Sequence, residues 1–146
     1  VVTLQVAKCD KIARIYQMKK EKFSKLRKKL GKTQKEMATL LSVSKKTVES
    51  YEQGLRNIPS NVQRLLYFLV FKLNMHKFDN TKLCWVEKDC PPKIRENCVT
   101  WVANEGFFCW FMTGKVCETE RLASGKTTGN CFNCSFFKSN LDKILS

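Results

Sequence analysis

The chain has 146 residues, with 27 Lys and Arg against 13 Asp and Glu, a formal charge of +14, and eight cysteines. That length holds one or two small domains, and the longest apolar run, residues 65–71, is far too short to cross a membrane. Charge and cysteine are split: residues 1–76 carry 17 basic against 5 acidic side chains (+12) and Cys9 alone, whereas residues 77–146 carry 10 against 8 (+2) and seven cysteines.

Residues 1–8 alternate weakly, Val2, Leu4 and Val6 against Thr3 and Gln5, and read as a short strand or an arm. Asp10 then caps a helix presenting Ile12, Ile15 and Tyr16. No signal peptide is expected, because residues 1–20 lack an apolar core. The spacing of Phe23, Leu26 and Leu30 predicts a helix over residues 21–30, ending at Gly31. Its other face holds Lys22, Lys25, Arg27, Lys28 and Lys29, a charge run that reads as a solvated face.

Residues 33–54, TQKEMATLLSVSKKTVESYEQG, read as two short helices joined by a tight turn. Met37, Ala38, Leu41, Val43, Val48 and Tyr51 are the apolar or small positions that pack such a corner. Thr33 and Ser44 are expected N-caps, and Glu36, three residues after Thr33, completes a capping box. Gly54 suits the end of the second helix, where φ > 0 is needed.

The stretch resembles the lambda-repressor-like (Xre-type) helix-turn-helix family, over about residues 21–73. The resemblance rests on Thr33-Gln34, Ala38, Val43-Ser44 and Tyr51-Glu52-x-Gly54. Ser42 stands where the family usually has Gly, and Tyr51 where Trp is common. The resemblance implies that the second helix enters the major groove with its N-terminal residues, Lys45, Lys46, Thr47 and Ser50, toward the base edges. Thr33 and Gln34, at the start of the preceding helix, and Arg56 and Asn57, past the recognition helix, are then expected at the phosphate backbone. Lys45 and Lys46 are equally compatible with simple phosphate neutralisation. A basic half that coincides with this motif is the electrostatic footprint of a nucleic-acid binder. Proteins of this family bind inverted half-sites as dimers, so a homodimer on double-stranded DNA is expected.

After a loop ending at Ser60, a further cap, a helix is expected over residues 61–74, with Val62, Leu65, Leu66, Leu69, Val70 and Leu73 as its apolar face. His76, the single histidine, reads as a linker residue near the boundary between domains 1–76 and 77–146. From Leu83 on, Pro91-Pro92, Gly106, Gly114, Gly125 and Gly129 break the chain into short loops, with a closing helical turn over residues 140–146.

The cysteines run Cys84-x5-Cys90-x7-Cys98-x10-Cys109-x7-Cys117-x13-Cys131-x2-Cys134. Cys84-Trp85 and Cys109-Trp110 are a faint internal echo, and Trp101, Phe107, Phe108, Phe111, Phe132, Phe136 and Phe137 crowd the same region. A DNA-binding chain without an export signal points to the reducing cytoplasm, where clustered thiols hold metal more often than disulfides. Structural zinc wants two close pairs of ligands, and only Cys131/Cys134 has that spacing. A disulfide scaffold meets an odd count of seven. An iron–sulfur cluster tolerates irregular spacing and wants shelter from solvent.

The run CWVEKDC…NCVTWVANEGFFCWFMTGKVC…GNCFNCSFFK also looks like a cysteine-rich module with two Cys-Trp motifs, attached to bacterial and archaeal signalling proteins. That resemblance spans about residues 83–138 and implies an iron–sulfur cluster, of the [4Fe–4S] type, with zinc as the alternative. The candidate ligands are Cys84, Cys90, Cys98, Cys109, Cys117, Cys131 and Cys134, with Cys109, Cys117, Cys131 and Cys134 favoured. The fold expected is mainly α: an N-terminal helix-turn-helix bundle of four to five helices plus a small, irregular, loop-rich cysteine domain. Nothing resembles a nucleophile–base pair, so no enzymatic activity is expected. The function expected is a cytoplasmic, DNA-binding transcription regulator with an iron–sulfur redox sensor. Two alternatives stay open: a DNA binder with a static zinc-stapled interaction domain, and an electron carrier whose helix-turn-helix binds a protein partner.

Overall fold

A computed structural model describes residues 17–79, 82–112 and 131–146. The expected arm and helix before residue 17, Cys9, Cys117 and the loop 118–130 lie outside these residues. The chain divides into two compact units, Val1–Leu73 and Asn74–Ser146. The described residues are helices and loops, and no strand occurs among them.

The first unit contains α1 (Lys20–Lys29), α2 (Gln34–Leu41), α3 (Lys45–Gln53) and α4 (Ser60–Leu73). Its core is built by Phe23 and Leu26 of α1, Met37, Ala38 and Leu41 of α2, Val48 and Tyr51 of α3, and Ile58 from the loop before α4. Phe23 meets Tyr51 edge-on at 5.6 Å between ring centroids, so the aromatic position at the end of α3 is kept by Tyr. Burial of each of the larger of these side chains contributes about 2 kcal/mol.

Helix α4 departs from its expected face. Val62, Leu66 and Val70 are buried as expected, but Gln63, Tyr67 and Phe71 join them, while Leu65 and Leu69 are half-buried and Leu73 is 61 % exposed. Two polar attachments turn the helix this way. Gln63 Nε2 donates to the carbonyl of Ile58 at 2.8 Å, and the Lys22 ammonium lies 5.4 Å from the Tyr67 ring centre. Tyr67 and Phe71 also bury more area than Leu65 and Leu69 would. Ser60 is not the cap but the first helical residue, since the Gln63 N–H already bonds to the carbonyl of Pro59 at 3.0 Å.

One closure recurs in both units. Gly31, Ser42, Gly54, Asp89 and Asn104 all have positive φ, and the next residue's N–H reaches back five residues: Lys32 to Arg27, Val43 to Ala38, Leu55 to Ser50, Cys90 to Trp85 and Glu105 to Thr100, at 2.9–3.3 Å. This is the Schellman arrangement, which satisfies carbonyls that a helix end leaves open.

The second unit strings short helices between such closures: α5 (Cys84–Glu87), α6 (Pro92–Glu96), α7 (Val99–Val102) and α8 (Cys109–Met112), then α9 (Ser135–Leu145). Single 3₁₀ turns lie at Met75–Lys77, which contains His76, and at Cys131–Asn133. The closing turn expected at residues 140–146 is therefore the end of an eleven-residue helix. Phe136, Phe137, Asn140, Leu141 and Ile144 form its buried face, and Asn140 Nδ2 donates to the carbonyl of Phe136 at 3.0 Å. The core is aromatic: Trp110 packs on Phe137 at 5.1 Å and Phe132 at 6.2 Å, and Phe107 lies between Phe78 at 5.2 Å and Phe136 at 6.3 Å.

Candidate nucleic-acid interface and thiol cluster

The turn between α2 and α3 is set by its caps. Thr33 Oγ1 accepts from the Glu36 N–H at 3.2 Å, while the Thr33 N–H and hydroxyl both donate to Glu36 Oε2 at 2.8 Å, a complete capping box. The Thr33 backbone N–H, then its hydroxyl, hold the Glu36 carboxyl below its ordinary range. Ser42 closes α2 in the left-handed region, φ 54°, ψ 42°, and Ser44 Oγ caps α3 by accepting from the Thr47 N–H at 3.1 Å.

Helix α3 is locked to its neighbours by a carboxylate. Glu52 receives Arg27 Nε at 2.7 Å, Arg27 Nη2 at 3.1 Å and Gln34 Nε2 at 2.7 Å, and Arg27 Nη1 donates to the carbonyl of Lys32 at 2.7 Å. Burial pushes the Glu52 carboxyl up, but the hydrogen bonds of Arg27 and Gln34, the Arg27 charge and the Ser24 hydroxyl outweigh it and hold the group below its ordinary value. Two members of the expected solvated charge run, Arg27 and Lys22, are thus structural. The signal for Arg27 was its being the one guanidinium among lysines on α1, since only its planar fork can grip a carboxylate at two points.

The expected DNA-contact residues fall into three groups. Lys45, Lys46, Arg56 and Asn57 are exposed. Lys45 Nζ pairs with Glu49 Oε1 at 3.0 Å, one turn further along the same face. Thr47 and Ser50 have hydroxyls engaged locally, Thr47 Oγ1 with Ser44 Oγ at 2.9 Å and Ser50 Oγ with the Lys46 carbonyl at 2.8 Å. Thr33 and Gln34 use side-chain donors inside the domain, although the second amide hydrogen of Gln34 still leaves a donor for a phosphate. Past α3, the Leu55 and Arg56 N–H groups both turn back to the Ser50 carbonyl, so at Arg56 it is the side chain that is offered outward.

In the second unit the helix starts carry the thiols. Cys84 and Cys109 are the first residues of α5 and α8, each followed by Trp, and Cys98 and Cys134 stand just before α7 and α9. The Cys-Trp echo is therefore the same local structure twice. Gly106 lets the two copies approach: its carbonyl accepts from the Cys84 N–H at 3.2 Å, and a Cβ there would meet Leu83 Cβ at 2.8 Å and the Trp85 ring at 2.9 Å. Arg95 ties the Cys90 carbonyl with Nε at 2.7 Å and stacks on Trp101 at 5.1 Å, and Trp101 meets Trp85 edge-on at 4.8 Å.

Cys84, Cys109 and Cys134 are free thiols: Cys84 and Cys109 share a hydrogen bond, and Cys134 takes one from Lys88. The hydrogen bond to Cys84, then burial, pushes the Cys109 thiol far up, with the charges of Cys84 and Cys134 adding to it. Burial also pushes Cys134 up, but the Lys88 ammonium and the N–H groups of Phe137 and Phe136 at the start of α9 outweigh it and lower it. Cys134 makes no formal side-chain cap hydrogen bond, so these amides act on the sulfur as nearby dipoles. The trio is open: among the described residues no three of His, Cys, Asp and Glu stand close enough to hold a metal ion. Cys90, Cys98 and Cys131 are half-buried. Soft thiols beside a cation and inside aromatic packing are the donor type an iron–sulfur or zinc centre takes, so these residues fit such a group in kind.

The capped turn, the locked second helix and its cationic, exposed first turn define a helix-turn-helix domain of the kind that binds double-stranded DNA. Residues 24–62 match the model of a helix-turn-helix family. No curated protein and no solved structure matches the chain. Among the described residues no helix is long and apolar enough to cross a membrane.

Proposed function

We propose that this chain is a cytoplasmic transcription regulator that binds double-stranded DNA as a homodimer on an inverted-repeat operator, with a metal–thiolate centre of the [4Fe–4S] type governing that binding. The observation that carries the reading is the exposed pair Lys45 and Lys46 at the start of a helix that Arg27, Glu52 and Gln34 hold in place. A cationic first turn on a fixed helix is what the major groove admits. One such domain reads only a few base pairs, which favours two copies on two half-sites.

The sensor reading is supported by the Cys84–Cys109 hydrogen bond and by the Lys88 ammonium at Cys134, which place cysteines of the same unit beside a cation. On this reading the thiolates come from the seven candidates of the cysteine half, with Cys109, Cys117, Cys131 and Cys134 favoured and Cys84, which hydrogen-bonds Cys109, as a further ligand. When bound, a cluster supplies a redox couple whose potential follows hydrogen bonding to sulfur and exposure to solvent. The chain's part is to hold thiolate charge beside the Lys88 ammonium, to shelter it with Trp110, Phe132 and Phe137, and to anchor α5, α8 and α9 through it. No catalytic step is assigned to the protein.

Purification without oxygen, followed by iron, sulfide and zinc analysis, tests the centre. A brown protein with stoichiometric iron and sulfide supports it. A colourless protein with one zinc per chain replaces the sensor with a static staple.

A further inference from the structure

Among the candidates elsewhere in the molecule, the apolar patch of Val86, Val99 and Val102 has no occupant the structure identifies, whereas the Lys45–Glu49 pair on the recognition helix has a specific chemical complement. We infer that Glu49 is a specificity-determining residue, and that Lys45 and Glu49 together read one G·C base pair from the major groove. This rests on the DNA-binding reading of the helix-turn-helix domain.

Glu49 lies on the helix face that carries Lys45, with its side chain 35 % exposed, where phosphates would repel it. As a support for the helix alone, an exposed i,i+4 pair is weak. Its geometry suits a base pair better. The pair presents a donor, Lys45 Nζ, and an acceptor, Glu49 Oε1, 3.0 Å apart. In the major groove a G·C pair presents guanine O6, an acceptor, and cytosine N4–H₂, a donor. Those two atoms are hydrogen-bonded to each other, so they too lie about 2.9 Å apart. Lys45 donating to O6 (and N7) while Glu49 accepts from the outward N4 hydrogen closes a cyclic array of four groups. An A·T or C·G pair in the same place presents donor before acceptor, so the array cannot form; the reversed T·A pair keeps acceptor before donor but puts the thymine methyl where guanine offers N7, so Lys45 loses its second acceptor there.

The pair also answers how a lysine-rich recognition helix can be selective. An ammonium on a flexible stem is a point charge that any phosphate satisfies. Glu49 fixes Lys45 over the bases and supplies an acceptor that phosphates reject, while Lys46 remains available for the backbone.

Selection of the full chain against a random-sequence duplex pool, for the unsubstituted protein, Glu49→Gln and Glu49→Ala, tests this. The unsubstituted protein is expected to enrich a G·C pair at one position by about tenfold over A·T and C·G, and by less over T·A, which lacks only the N7 contact. Glu49→Ala loses that preference and binds random duplex more tightly, because a negative charge is gone. Glu49→Gln loses cytosine and gains adenine there, since an amide pairs with adenine N6 and N7. Preferences at other positions persist, and thermal unfolding of the variants stays near that of the parent. Base preferences unchanged in both variants would overturn the inference, leaving Glu49 as a helix-face partner of Lys45. An absence of any sequence preference in the unsubstituted protein would instead remove the DNA-reading function on which the inference rests.

Discussion

Arg27 on the first helix of the domain grips Glu52 at the end of the recognition helix at two points, Nε to Oε1 at 2.7 Å and Nη2 to Oε2 at 3.1 Å. With Gln34 on the same carboxylate, three helices share one charged group. Replacing Glu52 by Gln leaves Arg27 poorly paired at a site only 13 % exposed, and should cost about 2–3 kcal/mol in chemical denaturation. The pH dependence has a definite sign. Because the folded carboxyl lies below its ordinary 4.5, its contribution is complete above that value and is lost as pH falls through the folded value. Acid unfolding of the first unit should therefore begin below about pH 4.5, and Glu52→Gln should flatten that limb of the curve.

Ser42 holds a left-handed conformation, φ 54°, that glycine adopts without strain. Ser42→Gly is expected to stabilise the domain by about 1 kcal/mol, since the side chain is exposed and its loss removes little packing. Thermal melts of the two proteins check this, and a lower melting temperature in the variant would contradict it.

Gly106 stands where two Cys-Trp segments meet. Gly106→Ala places a methyl 2.8 Å from Leu83 Cβ and 2.9 Å from the Trp85 ring, and should cost about 1–3 kcal/mol. Trp85 is a direct reporter, so its fluorescence and near-ultraviolet dichroism should change while the helix-turn-helix unit keeps its own melt.

Arg56 is expected at the phosphate backbone, and Lys46 is left to the backbone once Lys45 and Glu49 are taken as the base readers. Lys46→Ala or Arg56→Ala should weaken binding to all duplexes alike and reduce the slope of log K against log salt by about 1 each. A change confined to one base position would identify the residue as a base reader instead.

The local signals of the first unit were legible because each is short-range. Thr33–Glu36, Ser44 and Gly54 are caps whose partners lie within four residues, and the structure places them as expected. Tertiary choices were less so. Helix α4 has apolar residues nearly all round, so periodicity alone did not choose between Leu65/Leu69 and Tyr67/Phe71; a lysine over one ring and a buried glutamine decided it. Arg27 was hidden in a lysine run because its partner Glu52 is 25 residues away. The length of α9 is hidden because its first turn, Phe136 and Phe137, lies among the aromatics that crowd the cysteines, and only Leu141, Ile144 and Leu145 stand out as a helical face. In the site itself, the cationic turn was legible from composition, whereas the role of Glu49 depends on a side-chain pairing that residue types alone leave open.

The proposed control of DNA binding by the state of the thiol centre is open to direct measurement. Its most direct test is the affinity of the anaerobically purified protein for a duplex taken from the selection, before and after removal of its iron, at one fixed salt concentration. A change of at least about fivefold is expected, the lower end of ordinary coupling between two sites. Equal affinities for the loaded and stripped protein would contradict it.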